Sequence, residues 1–294
     1  MRGLLKSVWT WGEMIRFSHS VFALPFALLA AFLAARPQRP TGGQLVLIVA
    51  AMVAARSAAM TFNRLADVRL DAENPRTAGR ALPRGLITPG AAWVFWGLAC
   101  GLFVLACAGF WRLYGNPWPI VLCGPVLLFL CAYSYTKRLT SWSHLILGTA
   151  IAFSPVAAWI AISPQTLGLA AGLLMVAVAF WIGGFDIIYA CQDADFDRLA
   201  GLRSFPARLG IGLALWMARA FHAVTVAALI AVGLSAGLGS LYYVGVGCVA
   251  VLLVVENALV SPDDLSRVNL AFFSVNGIVG LVLGGLGILD VVLQ

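Results

Sequence analysis

The chain has 294 residues, 62% of them hydrophobic and only 11% charged, with a mean hydropathy of +0.95. Soluble domains carry roughly a quarter charged residues, so these values exclude a soluble globular protein and leave no stretch over for a separate soluble domain. The net charge of +7 is accounted for by basic loops beside anionic lipid and does not argue for nucleic acid.

Nine apolar stretches are each long enough to cross about 30 Å of hydrocarbon. They lie near 17–35, 43–66, 90–110, 117–135, 144–162, 166–188, 211–235, 239–259 and 269–291. The predicted fold is therefore all-α: a polytopic membrane protein with nine transmembrane helices, forming a single membrane domain over 1–294. The first stretch follows Arg2 and Lys6 and could pass for a signal peptide ending near Ala34. Arg16 and the following FSHSVFALPFA read instead as part of a site, so this stretch is expected to stay. Six cysteines fall mostly within apolar runs without metal-ligand spacing, as buried, inert thiols do.

Basic residues set the expected orientation. With the N-terminus inside, fourteen lie in cytoplasmic segments, while only Arg36, Arg39 and Arg112 lie outside. The positive-inside rule then places the protein in the cytoplasmic (inner) membrane with a cytoplasmic N-terminus, and the loops near 64–89 and 189–210 on that side.

Those loops carry the chemistry. Asn63, Asp67 and Asp71 recur at steps of four, which on a helix keeps them along one face. Arg76, Arg80 and Arg84 follow, interrupted by Pro75, Gly79, Pro83 and Gly85, a pattern of irregular loop. In YSYTKR, Tyr133 and Lys137 are also four apart, with Arg138 beside them; the two cations suit either an anionic ligand or plain topology. A second acidic cluster repeats the step with Tyr189, Asp193 and Asp197, followed by Arg198, Arg203 and Arg208. The pairs 67/71 and 193/197 are offset by 126 residues, about four helices, which suggests a duplicated four-helix unit plus a ninth helix.

Converging carboxylates with arginines folded over them suit a magnesium ion carrying a phosphate-bearing ligand. The alternative is a set of solvated charges that anchor topology. Against it, both clusters stand where helix C-termini are expected, a position that disfavours each aspartate by up to about 1 kcal/mol. Asp186 lies deeper on the same face as Tyr189 and Asp193, so it should meet a cavity or an arginine. Arg56, seven residues before Asn63, is either that partner or a ligand for substrate. His19, His144 and His222 have no metal spacing and read as structural. Glu256 and Asn257 have no evident partner, and Asp263 and Asp264 read as loop acids.

The ordered patterns N-x3-D-x3-D (Asn63, Asp67, Asp71), Y-x3-KR (Tyr133, Lys137, Arg138) and D-x2-Y-x3-D-x3-D (Asp186, Tyr189, Asp193, Asp197) resemble the UbiA superfamily of intramembrane aromatic prenyltransferases. The likeness covers essentially the whole chain. NPRTAGRALPRG and RFSHSVFALPFA are similar to 4-hydroxybenzoate polyprenyltransferases, including the branch serving menaquinone synthesis through the futalosine route. Two positions depart from the family pattern: Arg64 stands where many members have aspartate, and Ala81 where proline is common.

The resemblance implies transfer of a polyprenyl group from its diphosphate to the ring of an aromatic acid in ubiquinone or menaquinone biosynthesis. The acid would be 4-hydroxybenzoate or 1,4-dihydroxy-6-naphthoate, and Arg64 with its loop tilts toward the bicyclic one. It further implies Mg2+ held by Asn63, Asp67, Asp71, Asp193 and Asp197, and catalysis by these with Asp186 and Tyr189. Arg76, Arg80, Tyr133, Lys137, Arg138 and Arg203 would receive the diphosphate, and Arg56 or Arg16 the acceptor's carboxylate. The expected partners are these two substrates and the lipid bilayer. A multi-spanning transporter and another magnesium-dependent lipid-head-group transferase are the rival readings. The charges gather at one surface rather than at the midplane, which disfavours the transporter.

Overall fold

A computed structural model describes residues 10–15 and 20–294; Arg2, Lys6, Arg16 and His19, used above, lie outside them. The described residues are helical throughout, apart from turns and one isolated bridge at Ser261 and Asp264. Eight helices are long and apolar enough to cross a membrane, and Ser20–Ala35 is a shorter ninth. We number the long helices α1 (Ser20–Ala35), α2 (Gly42–Ala66), α3 (Pro89–Tyr114), α4 (Trp118–Ala132), α5 (Ser143–Ile162), α6 (Leu169–Ala190), α7 (Ile211–Ala236), α8 (Ser240–Ala258) and α9 (Val268–Leu293). All six cysteines are free.

The chain divides into two compact units, Met1–Ser20 with Val49–Tyr135 and Val21–Ile48 with Thr136–Gln294. The expected grouping of the first four helices is thus not kept, because α1 packs inside the second unit. The ring of Phe26 lies 5.0 Å from that of Trp181 on α6, and a Cβ at Gly284 of α9 would meet Pro25 at 2.3 Å. A hydrophobic count along the sequence carries no information about such contacts.

In the first unit, Ala54, Phe103 and Cys107 form an apolar seam between α2 and α3, flanked by Ile120, Cys123, Val126 and Leu127 of α4. Beyond α2, the chain turns through 74–88 before α3. Leu82 and Ile87 pack with Met14 and Ala92, which anchors that arginine-rich turn from below. Thr88 then caps α3, its Oγ1 accepting the Ala91 N–H at 3.2 Å, with Pro89 in the first helical position.

In the second unit, α6 is the buried helix: Leu174, Ala177, Val178, Trp181, Ile187 and Ile188 have no exposed surface. It packs chiefly against α5 and α7. Small residues make this close approach possible, since dispersion rather than hydrophobic burial holds membrane helices together. Polar side chains join the remaining helices. Trp181 Nε1 donates to Asn276 Oδ1 (2.7 Å), and Asn276 Nδ2 donates to Glu256 Oε1 (2.6 Å). His222 Nδ1 lies 2.7 Å from Asn257 Nδ2. These are the partners that the sequence left unassigned for Glu256 and Asn257. Near the other end of α9, Asp290 accepts the Gly239 N–H (2.6 Å) and so caps α8.

Candidate active site

In the first unit, α2 ends at Ala66 and a six-residue helix, Val68–Glu73, begins at Asp67. Asp67 has φ −104° and ψ 10°, the bridge region in which active-site residues are often found. The break is shallow. The Asp67 N–H still donates to Asn63 O (3.0 Å) and the Asp71 N–H to Asp67 O (2.7 Å), so the four-residue step does place the three side chains along one face. Asn63 Nδ2 donates to Asp67 Oδ2 at 3.3 Å. Asp71 is buried and ion-paired through Oδ1 with Arg80, while Thr77 Oγ1 donates to its backbone carbonyl. Arg64 also enters this cluster: its Nη1 donates to Asn63 Oδ1 (3.4 Å) and lies 3.9 Å from Asp71 Oδ2. The sequence marked Arg64 as a departure from pattern but did not place it in the cluster, because nothing in the spacing shows which way its side chain turns.

In the second unit the same construction recurs. After α6, one tight turn, Cys191–Asp193, leads into another six-residue helix, Ala194–Leu199. Asp193 stands at the break with φ −105° and ψ 5°, within a few degrees of Asp67, and Asp197 is the fourth residue of its helix as Asp71 is of its own. The breaks also revise the dipole argument. Each second aspartate lies in the first turn of a new helix, where a negative charge is favoured, not at the end of the long one. Asp197 is 1% exposed; its Oδ1 lies 2.8 Å from Lys137 Nζ and its Oδ2 accepts from Ser204 Oγ (2.6 Å). Arg203 is tied to the segment of Lys137, its Nη1 donating to Leu139 O at 2.8 Å.

Residues 23–278 match the UbiA prenyltransferase family. The chain belongs to that family. A 4-hydroxybenzoate octaprenyltransferase of Aliivibrio fischeri is 30% identical over 283 residues, 94% of each chain. A mitochondrial 4-hydroxybenzoate polyprenyltransferase of Aedes aegypti is 31% identical over 78% of this chain, which spans only half of that relative's length. Among solved structures, an apo UbiA homologue from Aeropyrum pernix superposes with a TM-score of 0.82 at 33% identity, covering 92% of this chain and 98% of its own. A UbiA homologue from Archaeoglobus fulgidus, bound to DMAPP and Mg2+, shares the fold at 18% identity, with a TM-score of 0.72 over 97% of this chain and all of its own. Membership in the UbiA family removes the transporter reading.

The other expected site residues of this UbiA chain fall as follows. Arg56 is half-buried within unbroken α2, two turns and about 10 Å from Asn63 along the axis. Tyr133 opens a single 3-10 turn at the end of α4, and Lys137 and Arg138 occupy the short helix Thr136–Leu139 after it. Arg76 is exposed. Tyr189 packs against Phe272 of α9, ring centroids 4.3 Å apart and the planes tilted by 37°. Asp186 pairs with His144 of α5, Nδ1 to Oδ2 at 2.7 Å, so a histidine and not an arginine answers its charge. The sequence offered His144 only as a structural histidine, because its partner lies 42 positions away on another helix.

The donor set suits magnesium. Mg2+ is usually held by one or two carboxylates together with substrate phosphate oxygens, not by an all-protein cage. Among the described residues no three carboxylate, imidazole or thiol groups form such a cage. Yet Asp71 Oδ2 is buried without a hydrogen bond, leaving a carboxylate oxygen with lone pairs for a cation. Asn63 fits less well, since its amide oxygen already accepts from Arg64.

Proposed function

We propose that this protein transfers a polyprenyl group from its diphosphate to the ring carbon ortho to the hydroxyl of 4-hydroxybenzoate, with Mg2+ as cofactor and the whole chain acting as one membrane-embedded catalytic domain. The observation that carries this reading is the repeated construction at Asp67 and Asp193: the same backbone break, the same six-residue helix, and a buried second aspartate paired with a cation. The names of the Aliivibrio and Aedes relatives support the acceptor. Arg64, inside the first cluster, favours 1,4-dihydroxy-6-naphthoate as a second acceptor to test.

In this reading Asp67, Asp71, Asp193 and Asp197 bind the metal–diphosphate. Magnesium, when bound, neutralises the charge that grows on the diphosphate as it leaves. Arg80 and Lys137, already held against Asp71 and Asp197, share that charge, with Arg76, Arg138 and Arg203 as further donors. The ring then attacks the allylic cation, and closing water out of the site protects that cation. The test is direct: purified protein in lipid, given polyprenyl diphosphate, Mg2+ and either acid, should form the prenylated acid. Diphosphate release that is insensitive to both acids would refute the reading.

Arg56 is the proposed anchor for the acceptor's carboxylate. A charged hydrogen bond contributes about 1.5–3 kcal/mol, so Arg56→Ala should raise the acceptor KM roughly 10- to 100-fold and leave the KM for polyprenyl diphosphate within about two-fold. Arg56→Lys should recover part of the loss. Equal weakening of both substrates would exclude the anchoring role.

The N-terminus is proposed to be cytoplasmic. In a cysteine-free background of sealed cells, an impermeant thiol reagent should label a cysteine at Gln38 and miss cysteines at Glu73 and Leu199, all three positions being exposed. Thr77, in the same loop as Glu73, is 3% exposed and is unsuited to labelling. Labelling at Glu73 or Leu199 from outside would reverse the orientation.

A further inference from the structure

We infer that His144 and Asp186 form a proton-accepting dyad, in which His144 positions the Asp186 carboxylate to take the proton that the acceptor ring gives up after prenyl transfer. The inference rests on the proposed prenyl transfer and adds to it the fate of that proton.

The geometry fixes the tautomer. The Phe205 N–H donates to His144 Nε2 at 3.3 Å, so Nε2 carries no proton and Nδ1 does. The Phe205 ring stacks on the imidazole, centroids 5.6 Å apart at 26°, and holds its plane. The Nδ1–H therefore has one destination, Asp186 Oδ2 at 2.7 Å. Exposure separates the two roles. The His144 side chain is enclosed, at 3% exposed, whereas that of Asp186 is 23% exposed. Asp186 Oδ1 is the oxygen left to meet a ligand. A base oriented by a third group is the general arrangement of activated catalytic carboxylates and imidazoles. On α6, Tyr189 follows Asp186 at three residues and so shares its face, and Asp193 closes the tight turn that follows the helix.

One short segment ties this dyad to the leaving-group side. Ser204, next to Phe205, caps the helix Phe205–Leu209 and donates to Asp197 Oδ2 at 2.6 Å, while Asp197 Oδ1 meets Lys137. The residue that sets the histidine tautomer and the residue that holds the second aspartate are thus adjacent in the chain.

The step balances without a further reagent. The allylic C–O bond breaks and its electron pair leaves with diphosphate. A π pair of the ring forms the new C–C bond. The pair of the ring C–H bond then returns to the ring, and its proton passes to Asp186 Oδ1 and from there to water.

The test uses the full chain in lipid, with polyprenyl diphosphate and 4-hydroxybenzoate carrying hydrogen or deuterium at the two positions ortho to the hydroxyl. Asp186→Asn should lower kcat on the order of 10²- to 10⁴-fold, the usual contribution of a positioned base. It should also gain a hydrogen/deuterium rate ratio of about two or more, while the KM for polyprenyl diphosphate stays within about two-fold. His144→Leu should lose roughly 10- to 100-fold, as outer positioning groups do. His144→Asn, which keeps an N–H toward the acid, should recover part of that loss. A purely structural pair would move thermal stability without creating an isotope effect. Folded Asp186→Asn that is isotope-silent, or His144→Leu and His144→Asn equally impaired, overturns the dyad alone. Wild-type protein that transfers no prenyl group to any aromatic acid overturns the functional reading and the dyad with it.

Discussion

Asp67→Ala and Asp193→Ala are each expected to abolish prenyl transfer, lowering kcat/KM on the order of 10³-fold or more, the scale set by removing a group that stabilises transition-state charge. These two positions are the informative ones because each stands at a helix break with the same dihedral angles. Their second-position partners give ambiguous results. Replacing Asp71 would leave Arg80 and buried Arg64 without their carboxylate, and replacing Asp197 would strand Lys137 and Ser204. Breaking a buried pair in this way costs about 3–5 kcal/mol, so lost activity there could mean lost fold. Asp67→Ala should instead insert, fold and melt within a few degrees of wild type while requiring more Mg2+ for any residual turnover. Near-normal turnover in both alanine variants would falsify the proposed metal–diphosphate role.

What the sequence made legible, and what it did not, follows from the range of the interactions. The nine apolar stretches could be read because a bilayer imposes length and composition locally. The first acidic face could be read because the i to i−4 hydrogen bonds persist through Asp67, so a helical count remains valid across that break. The break shows in the dihedral angles of one residue and carries no local signal; proline and glycine are absent from the immediate sequence on either side. The Asp186–His144 pair joins positions 42 apart on different helices, and the docking of α1 on α6 and α9 spans still more chain. Asn276 meets Glu256 directly after a π turn at Ala271–Val275, a local change of register that a 3.6-residue count places on the wrong face. The loop read as irregular also hides order: Asn74 Oδ1 accepts the Arg76 N–H, and Thr77 bonds back to Asp71, which positions Arg80 for its ion pair.

The largest effect on stability is expected at Gly148. A Cβ built there would lie 2.1 Å from the carbonyl oxygen of Ala179 and 3.0 Å from the Gly183 nitrogen, both backbone atoms of α6. Backbone cannot rotate away as a side chain can, so α5 and α6 must separate to admit even one methyl group. Overpacking of this kind costs about 1–3 kcal/mol and occasionally more, and a contact with backbone belongs at the upper end. Gly148→Ala should therefore lower the melting temperature clearly, and Gly148→Val should fail to yield monodisperse protein in detergent. Gly172 provides the control: it is exposed on α6 with nothing within 4 Å of a built Cβ. Gly172→Ala should be neutral or slightly stabilising, since alanine is the better helix former by about 0.8–1.0 kcal/mol. The same crossing bears on the chemistry. His144 precedes Gly148 by one helical turn, and a Cβ at Gly183 would lie 3.4 Å from the His144 carbonyl oxygen. Forcing the helices apart at Gly148 should thus lengthen the 2.7 Å contact between His144 and Asp186 and reduce turnover in the fraction that still folds. A Gly148→Ala protein as stable and active as Gly172→Ala would show that the crossing has slack, and that the dyad's distance is set elsewhere.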